Sequence, residues 1–133
     1  MRLVPACLAA ALILQGCGGS AGDVLAIEVS GGPLPAKQTL VVTDDGRGSC
    51  DRGKLEEITN PQLIDAQALA RDAKPLAEVA ASYGGPRPGF RRYVLRLPQG
   101  DVSWTEGAAG IPPALARAQL LALQLGRKLC GRA

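Results

Sequence analysis

The amino-acid sequence predicts an α+β fold: a small antiparallel sheet of about four to five strands with two helices packed on one face. Three observations predict it. Several short segments alternate apolar and polar residues with a period of two, two longer ones repeat apolar residues with helical spacing, and Gly- and Pro-rich breaks separate them. The 133 residues amount to one domain with one modest core. With one Phe, one Trp and two Tyr, that core must be largely aliphatic, so Trp104, Tyr83, Tyr93 and Phe90 carry unusual weight.

The elements follow in chain order. "VLAIEV" (Val24–Val29) sets Leu25, Ile27 and Val29 on one side, as a half-buried strand requires. "SGGPLPAK" breaks it, because two glycines and two prolines cannot continue a ladder. "QTLVVT" (Gln38–Thr43) resumes as a strand, "DDG" is a turn signal, and "RGSC" returns as a third short strand carrying Cys50. Asn60 and Pro61 predict a helix start, with Asn60 as N-cap and Pro61 at the first helical position. This helix should run to about Lys74, with Pro75 ending or kinking it. "RRYVLRL" (Arg91–Leu97) points Tyr93, Leu95 and Leu97 inward and Arg92, Val94 and Arg96 outward. "DVSWT" pairs with it as an antiparallel hairpin through "PQG". A last helix starts at Pro112 or Pro113 and reaches Leu129 or Cys130, its stripe formed by Leu115, Ala118, Ala122, Leu125 and Leu129 and widened by Leu121. Arg127 and Lys128 suit the negative end of its dipole, and Gly131 stops it.

The N-terminus reads differently. Arg2 is followed by an apolar run from Leu3 to Leu14, too short to cross the roughly 30 Å of bilayer hydrocarbon but suited to a signal peptide. Its end, Leu14-Gln15-Gly16-Cys17, resembles the bacterial lipobox, with Gln15 in place of the usual small residue. The resemblance implies diacylglyceryl transfer to Cys17, cleavage after Gly16 and a palmitate-type anchor. The competing reading is a secretory signal cut near "GSAG", leaving no anchor. The expected organisation is a lipoprotein signal peptide over 1–16, a lipidated Cys17 and flexible tether over 17–23, and a single α+β domain over 24–133. Gly18, rather than Asp, follows Cys17, which in a host with two membranes implies the periplasmic side of the outer one.

With Cys7 in the leader and Cys17 lipidated, Cys50 and Cys130 remain. Outside the cytoplasm such a pair is most simply a disulfide, with two free buried thiols as the alternative.

Composition limits the chemistry. No histidine is present, which removes Ser-His-Asp and Cys-His nucleophile systems and His-based metal sites. No Ser-x-x-Lys spacing occurs, and "DDGRGSCD" lacks the ligand pattern of a calcium loop, leaving a solvated turn as its simpler role. An enzyme is not expected, nor is a cofactor. A net charge of +3 with no nucleic-acid-binding motif argues against a nucleic-acid partner. Arg92 and Arg96, with nearby Arg91 and Arg87, are candidate contacts for anionic lipid headgroups or an acidic partner, set against a solvated face whose charges protect an edge. Trp104 reads as core filler before ligand platform.

In order, "IEVSGGPLPAKQTLVV", "FRRYVLRL" and "DVSWTEGAAGIPPALARAQLLALQL" resemble the emfourin-like protein family, spanning most of Ile27 to Leu125. This chain differs in its leader, its Cys50 and Cys130, and a longer "GSCDRGKLEEITN" insert. The resemblance implies an inhibitor of thermolysin-type metalloproteases. In that role the loop "GGPLP" would present Leu34 between Pro33 and Pro35, which restrict the backbone and lower the entropy lost on docking. The alternative for the same loop is a plain strand connection with Leu34 partly buried. The expected function is therefore a lipid-anchored, monomeric envelope protein with a small non-catalytic binding domain. Its partners would be the membrane, through the anchor, and a protein; the alternative is an emfourin-like protease inhibitor.

Overall fold

The computed structural model describes residues 22–131; Cys17 and the expected leader lie outside them. The elements are β1 (Asp23–Gly31), β2 (Gln38–Thr43), β3 (Arg47–Cys50), β4 (Glu56–Glu57), α1 (Asn60–Glu78), β5 (Ser82–Tyr83), β6 (Arg91–Leu97), β7 (Gly100–Thr105) and α2 (Pro113–Leu129). They form one sheet in the order β4-β3-β2-β1-β6-β7-β5. The class is α+β, but the sheet has seven strands and is mixed, not antiparallel throughout. The added strands, β4 and β5, are two residues each and sit at opposite edges, β5 pairing parallel with β7. Two residues are too short to display a period.

β1 is the centre. Ile27 lies between Leu40 of β2 and Leu95 of β6, and all three are fully buried beneath the helices. Leu25 and Val29 extend that row, as the alternation requires. The scarce aromatics are placed as neighbours across β6 and β7: Tyr93 stacks on Trp104 with ring centroids 5.2 Å apart, and Trp104 is wholly buried. Such a pair contributes roughly 0.5–1.5 kcal/mol beyond its buried area.

The cap of α1 is Thr59, one residue earlier than expected. Gln62 N–H donates to Thr59 Oγ1 at 3.2 Å, and Thr59 N–H donates to Gln62 Oε1 at 3.0 Å. This reciprocal capping box satisfies two otherwise orphaned donors, which Asn60 at the cap could not arrange with Gln62. The helix also continues past Lys74 and through Pro75 to Glu78. Its buried stripe, Ala66, Leu69, Ala73 and Ala77, runs beyond the proline, whose ring is exposed. Burial of Ala77 keeps the last turn on the sheet: a Cβ on Gly100 of β7 would come within 2.5 Å of the Ala77 carbonyl oxygen.

α2 has Pro112 at its N-cap position and no side-chain cap. Ala114, Leu115, Ala118, Leu121, Ala122 and Leu125 are buried, matching the expected stripe, and Leu129 is half-buried. At its C-terminal end Cys130 is joined to Cys50 of β3, Cα to Cα 5.2 Å. Gly48 permits this approach, since a Cβ there would lie 2.8 Å from Leu129 Cδ1.

Candidate functional site

The sheet separates the residues singled out from the sequence. Arg92 and Arg96 lie on the face away from the helices, and both guanidiniums are occupied there. Arg96 is 2.9 Å from the Glu28 carboxylate and 3.5 Å from that of Asp101. Arg92 donates to Thr105 Oγ1 at 2.9 Å, to the Gly84 carbonyl at 3.2 Å and to Ser103 Oγ at 3.3 Å. That face is a self-satisfied polar surface, with its arginines spent on holding strands and the segment after β5.

Leu34 and Pro35 are on the other side, while Pro33 points to solvent. Leu34 N–H donates to the Gly31 carbonyl at 3.2 Å, closing a turn. Gly31 and Gly32 have φ of 78° and 59°, and a Cβ on either would lie within 3 Å of Phe90 or Arg91 atoms. Only glycine tolerates both the angle and the contact. The pair therefore folds the loop against the start of β6 and turns Leu34 inward, half-buried against the core.

There the loop faces α2 across a groove of about 750 Å³. Val29, Gln38 and Tyr93 form its floor; Leu34 and Pro35 form one wall; Ala116, Leu120, Leu123 and Arg127 form the other. Leu120 and Leu123 are 57% and 42% exposed, although they stand on a helix with a complete core stripe of its own. The polar end is fixed by a reciprocal pair, Arg91 N–H to Glu106 Oε1 and Glu106 N–H to the Arg91 carbonyl, each 2.9 Å. Gln119 is held by the Trp104 indole N–H at 2.9 Å. Burial, reinforced by the Glu106 carboxylate and opposed by Arg91, pushes the Tyr93 phenol above its usual range. It therefore remains a protonated donor at neutral pH. A smaller cleft lies on the other side of Leu120, between Asp65 and Leu69 of α1 and Arg117 and Gln124 of α2.

Among the described residues no three His, Cys, Asp or Glu side chains are grouped to hold a metal ion. The arrangement offers apolar walls, a phenolic donor and two guanidiniums, which suit binding. Leu120, Leu123 and Glu106 are not among the residues the sequence pattern singles out, whereas Arg91 is, as a neighbour of the Arg92 and Arg96 face. A signal for the leucines exists in "QLLALQL": Leu121 and Leu125 complete the core stripe, so Leu120 and Leu123, three apart, are surplus to it. Compared with known proteins, the chain matches no protein-family model, no curated protein and no solved structure.

Proposed function

We propose that the chain is a lipid-anchored bacterial envelope protein whose domain is a non-catalytic binding module, with the groove between α2 and the β1–β2 loop as its contact surface. The observation that carries the binding role is the exposed pair Leu120 and Leu123 facing half-buried Leu34 across that groove. Apolar side chains left in water on an already amphipathic helix are a liability unless something covers them. The anchor rests on the charged start, the short apolar run and Leu14-Gln15-Gly16-Cys17. Two or three acyl chains on Cys17 would hold the protein at the membrane without a spanning helix.

The two ends of β1 give this reading a direction. The strand begins at Asp23, six residues after Cys17, and ends at Gly31 beside the groove. Nine extended residues span about 26 Å, so the groove's loop wall stands about that far from the strand end nearer the anchor. The inhibitor alternative needs Leu34 as a projecting contact, and its inward turn favours the groove instead.

The test combines two measurements in the native host. Radiolabelled palmitate should enter the protein and be lost in Cys17→Ala. A photoreactive benzophenone amino acid replacing Leu120 should give an adduct on illumination, whereas the same group replacing exposed Lys74 of α1 should give none. Equal adducts at both positions would remove the groove from the proposal; unchanged labelling in Cys17→Ala would remove the anchor.

A further inference from the structure

We propose that the groove's occupant is an anionic single-chain amphiphile, a long-chain carboxylate. The inference rests on the groove being the contact surface and adds the class of ligand.

Charge gives the first argument. Two guanidiniums line the groove, Arg91 and Arg127, against one acid, Glu106. Among the described residues neither arginine makes an ion pair, while Arg47, Arg52, Arg71, Arg96 and Arg117 are ion-paired. Arg87 and Arg92 make none either, but Arg87 lies over the Phe90 ring and Arg92 donates to Gly84, Thr105 and Ser103. Glu106 already accepts the Arg91 backbone N–H with one oxygen. The Tyr93 phenol, protonated at neutral pH and pushed further up chiefly by burial, gives the floor an O–H donor beside Arg91. A carboxylate is the acceptor that such donors fit, and guanidinium is the side chain best shaped to take it with two parallel hydrogen bonds.

Backbone pairing gives the second. Strands β1 and β6 supply Val29, Arg91 and Tyr93 to the groove, and each is hydrogen-bonded to a neighbour on both sides. An extended peptide laid there would find no open sheet edge, so its own N–H and C=O groups would go unpaired as water left. An acyl chain carries no such groups. Of the remaining lining, Leu34, Pro35, Ala116, Leu120 and Leu123 ask nothing more of it than apolar surface, while the amides of Gln38 and Gln119 lie among them. The volume of about 750 Å³ falls within the range of roughly 300–1,000 Å³ common for small-molecule sites.

The test uses the full chain carrying Cys17→Ala, which lacks the acyl acceptor, titrated calorimetrically below the micelle concentration. Laurate is the probe, and dodecyltrimethylammonium, with the same tail and the opposite charge, is its control. Laurate should bind saturably at one site per chain and at least tenfold more tightly than the cation. Adding Arg91→Gln or Arg127→Gln should weaken laurate several-fold and narrow that preference. Leu120→Asp should abolish binding with the melting temperature unchanged, because Leu120 is mostly exposed, and Lys74→Gln should do nothing. Equal binding of both amphiphiles, or no saturable laurate binding, would overturn the proposal. The adduct at position 120 then separates the two levels. A protein-sized adduct without laurate binding overturns the ligand class and leaves the groove as contact surface, while absence of both adduct and binding overturns the groove as well.

Discussion

The two helices pack on the same face of one sheet, yet they are held in different ways. α1 is secured by its own sequence: the Thr59–Gln62 box closes its first turn, and its buried stripe is mostly alanine with Leu69 as the one large member. α2 begins at an uncapped proline and is secured from outside, by the Cys130 bridge to β3 and by six buried residues. After that packing it still leaves Leu120 and Leu123 exposed over the groove, while Ile64 on α1 stands alone at 61% exposure. A helix fastened by long-range ties can carry apolar surface beyond what its fold requires; α1 has little to spare. The difference marks α1 as support and α2 as the working wall.

This contrast can be broken or sharpened experimentally, starting with the largest effect. Cys130→Ser removes the tie on α2 and opens a loop spanning 80 residues of sequence. The loss should approach 4 to 5 kcal/mol, about what chain entropy assigns to such a loop, an upper figure because strain and residual structure reduce it. Urea unfolding of the variant against the oxidised protein checks it, and reductant should lower the native protein to the same level. A loss below about 1 kcal/mol would mean that α2 needs no external tie. Thr59→Ala should cost about 1 kcal/mol, the usual value of an N-cap. Its effect should be the same in the oxidised and reduced protein, since it concerns α1 alone; a strong dependence on the bridge would merge what the contrast separates.

The smallest effect concerns the link between the helices. Asp72 of α1 accepts from Arg117 of α2 at 2.7 Å, and that guanidinium holds the carboxyl below its ordinary range. A lowered folded-state pKa means that the contribution is fully present above the unfolded value near 3.8 and fades as pH falls through the folded one. Asp72→Asn should therefore lower the melting temperature slightly at pH 7 and not at all near pH 2. Because the pair is exposed, salt should shrink the difference. A difference that grew on acidification would exclude this origin.

How legible these features were follows from the range of the forces involved. β2, β3 and β6 match the segments expected from alternation, and β1 and β7 extend theirs only at the ends. β2 buries Leu40 through Thr43 in succession and β3 is marked by the turn before it, whereas alternation is plainest in β6, where Tyr93, Leu95 and Leu97 are buried. The stripe of α2 was readable for the same reason. β4 and β5 were not, since Glu56-Glu57 and Ser82-Tyr83 become strands only because longer neighbours offer open edges. The helix α1 outruns its expected end near Lys74, because the sequence shows the local cost of Pro75 and not the tertiary gain of seating Ala77. Leu34 could be named from its two prolines, but not its inward turn, which depends on Gly31 and Gly32 meeting Phe90 and Arg91 from 58 or 59 residues away. The groove itself joins β1, β2, β6 and α2, and no local pattern encodes such a meeting.

The position of β1 has a mechanical consequence. With the chain held at Cys17, as proposed, and something engaged beside Gly31, any pull between membrane and ligand runs along the axis of this one strand. β1 is laddered to β2 and to β6 on its two sides, through six residue pairs each. The bonds of an antiparallel ladder lie across the strand direction, so such a pull loads both ladders in shear, all rungs together, instead of peeling them one by one. The central strand thus doubles as the tension member of the molecule, and its rupture would require breaking the middle of the sheet at once.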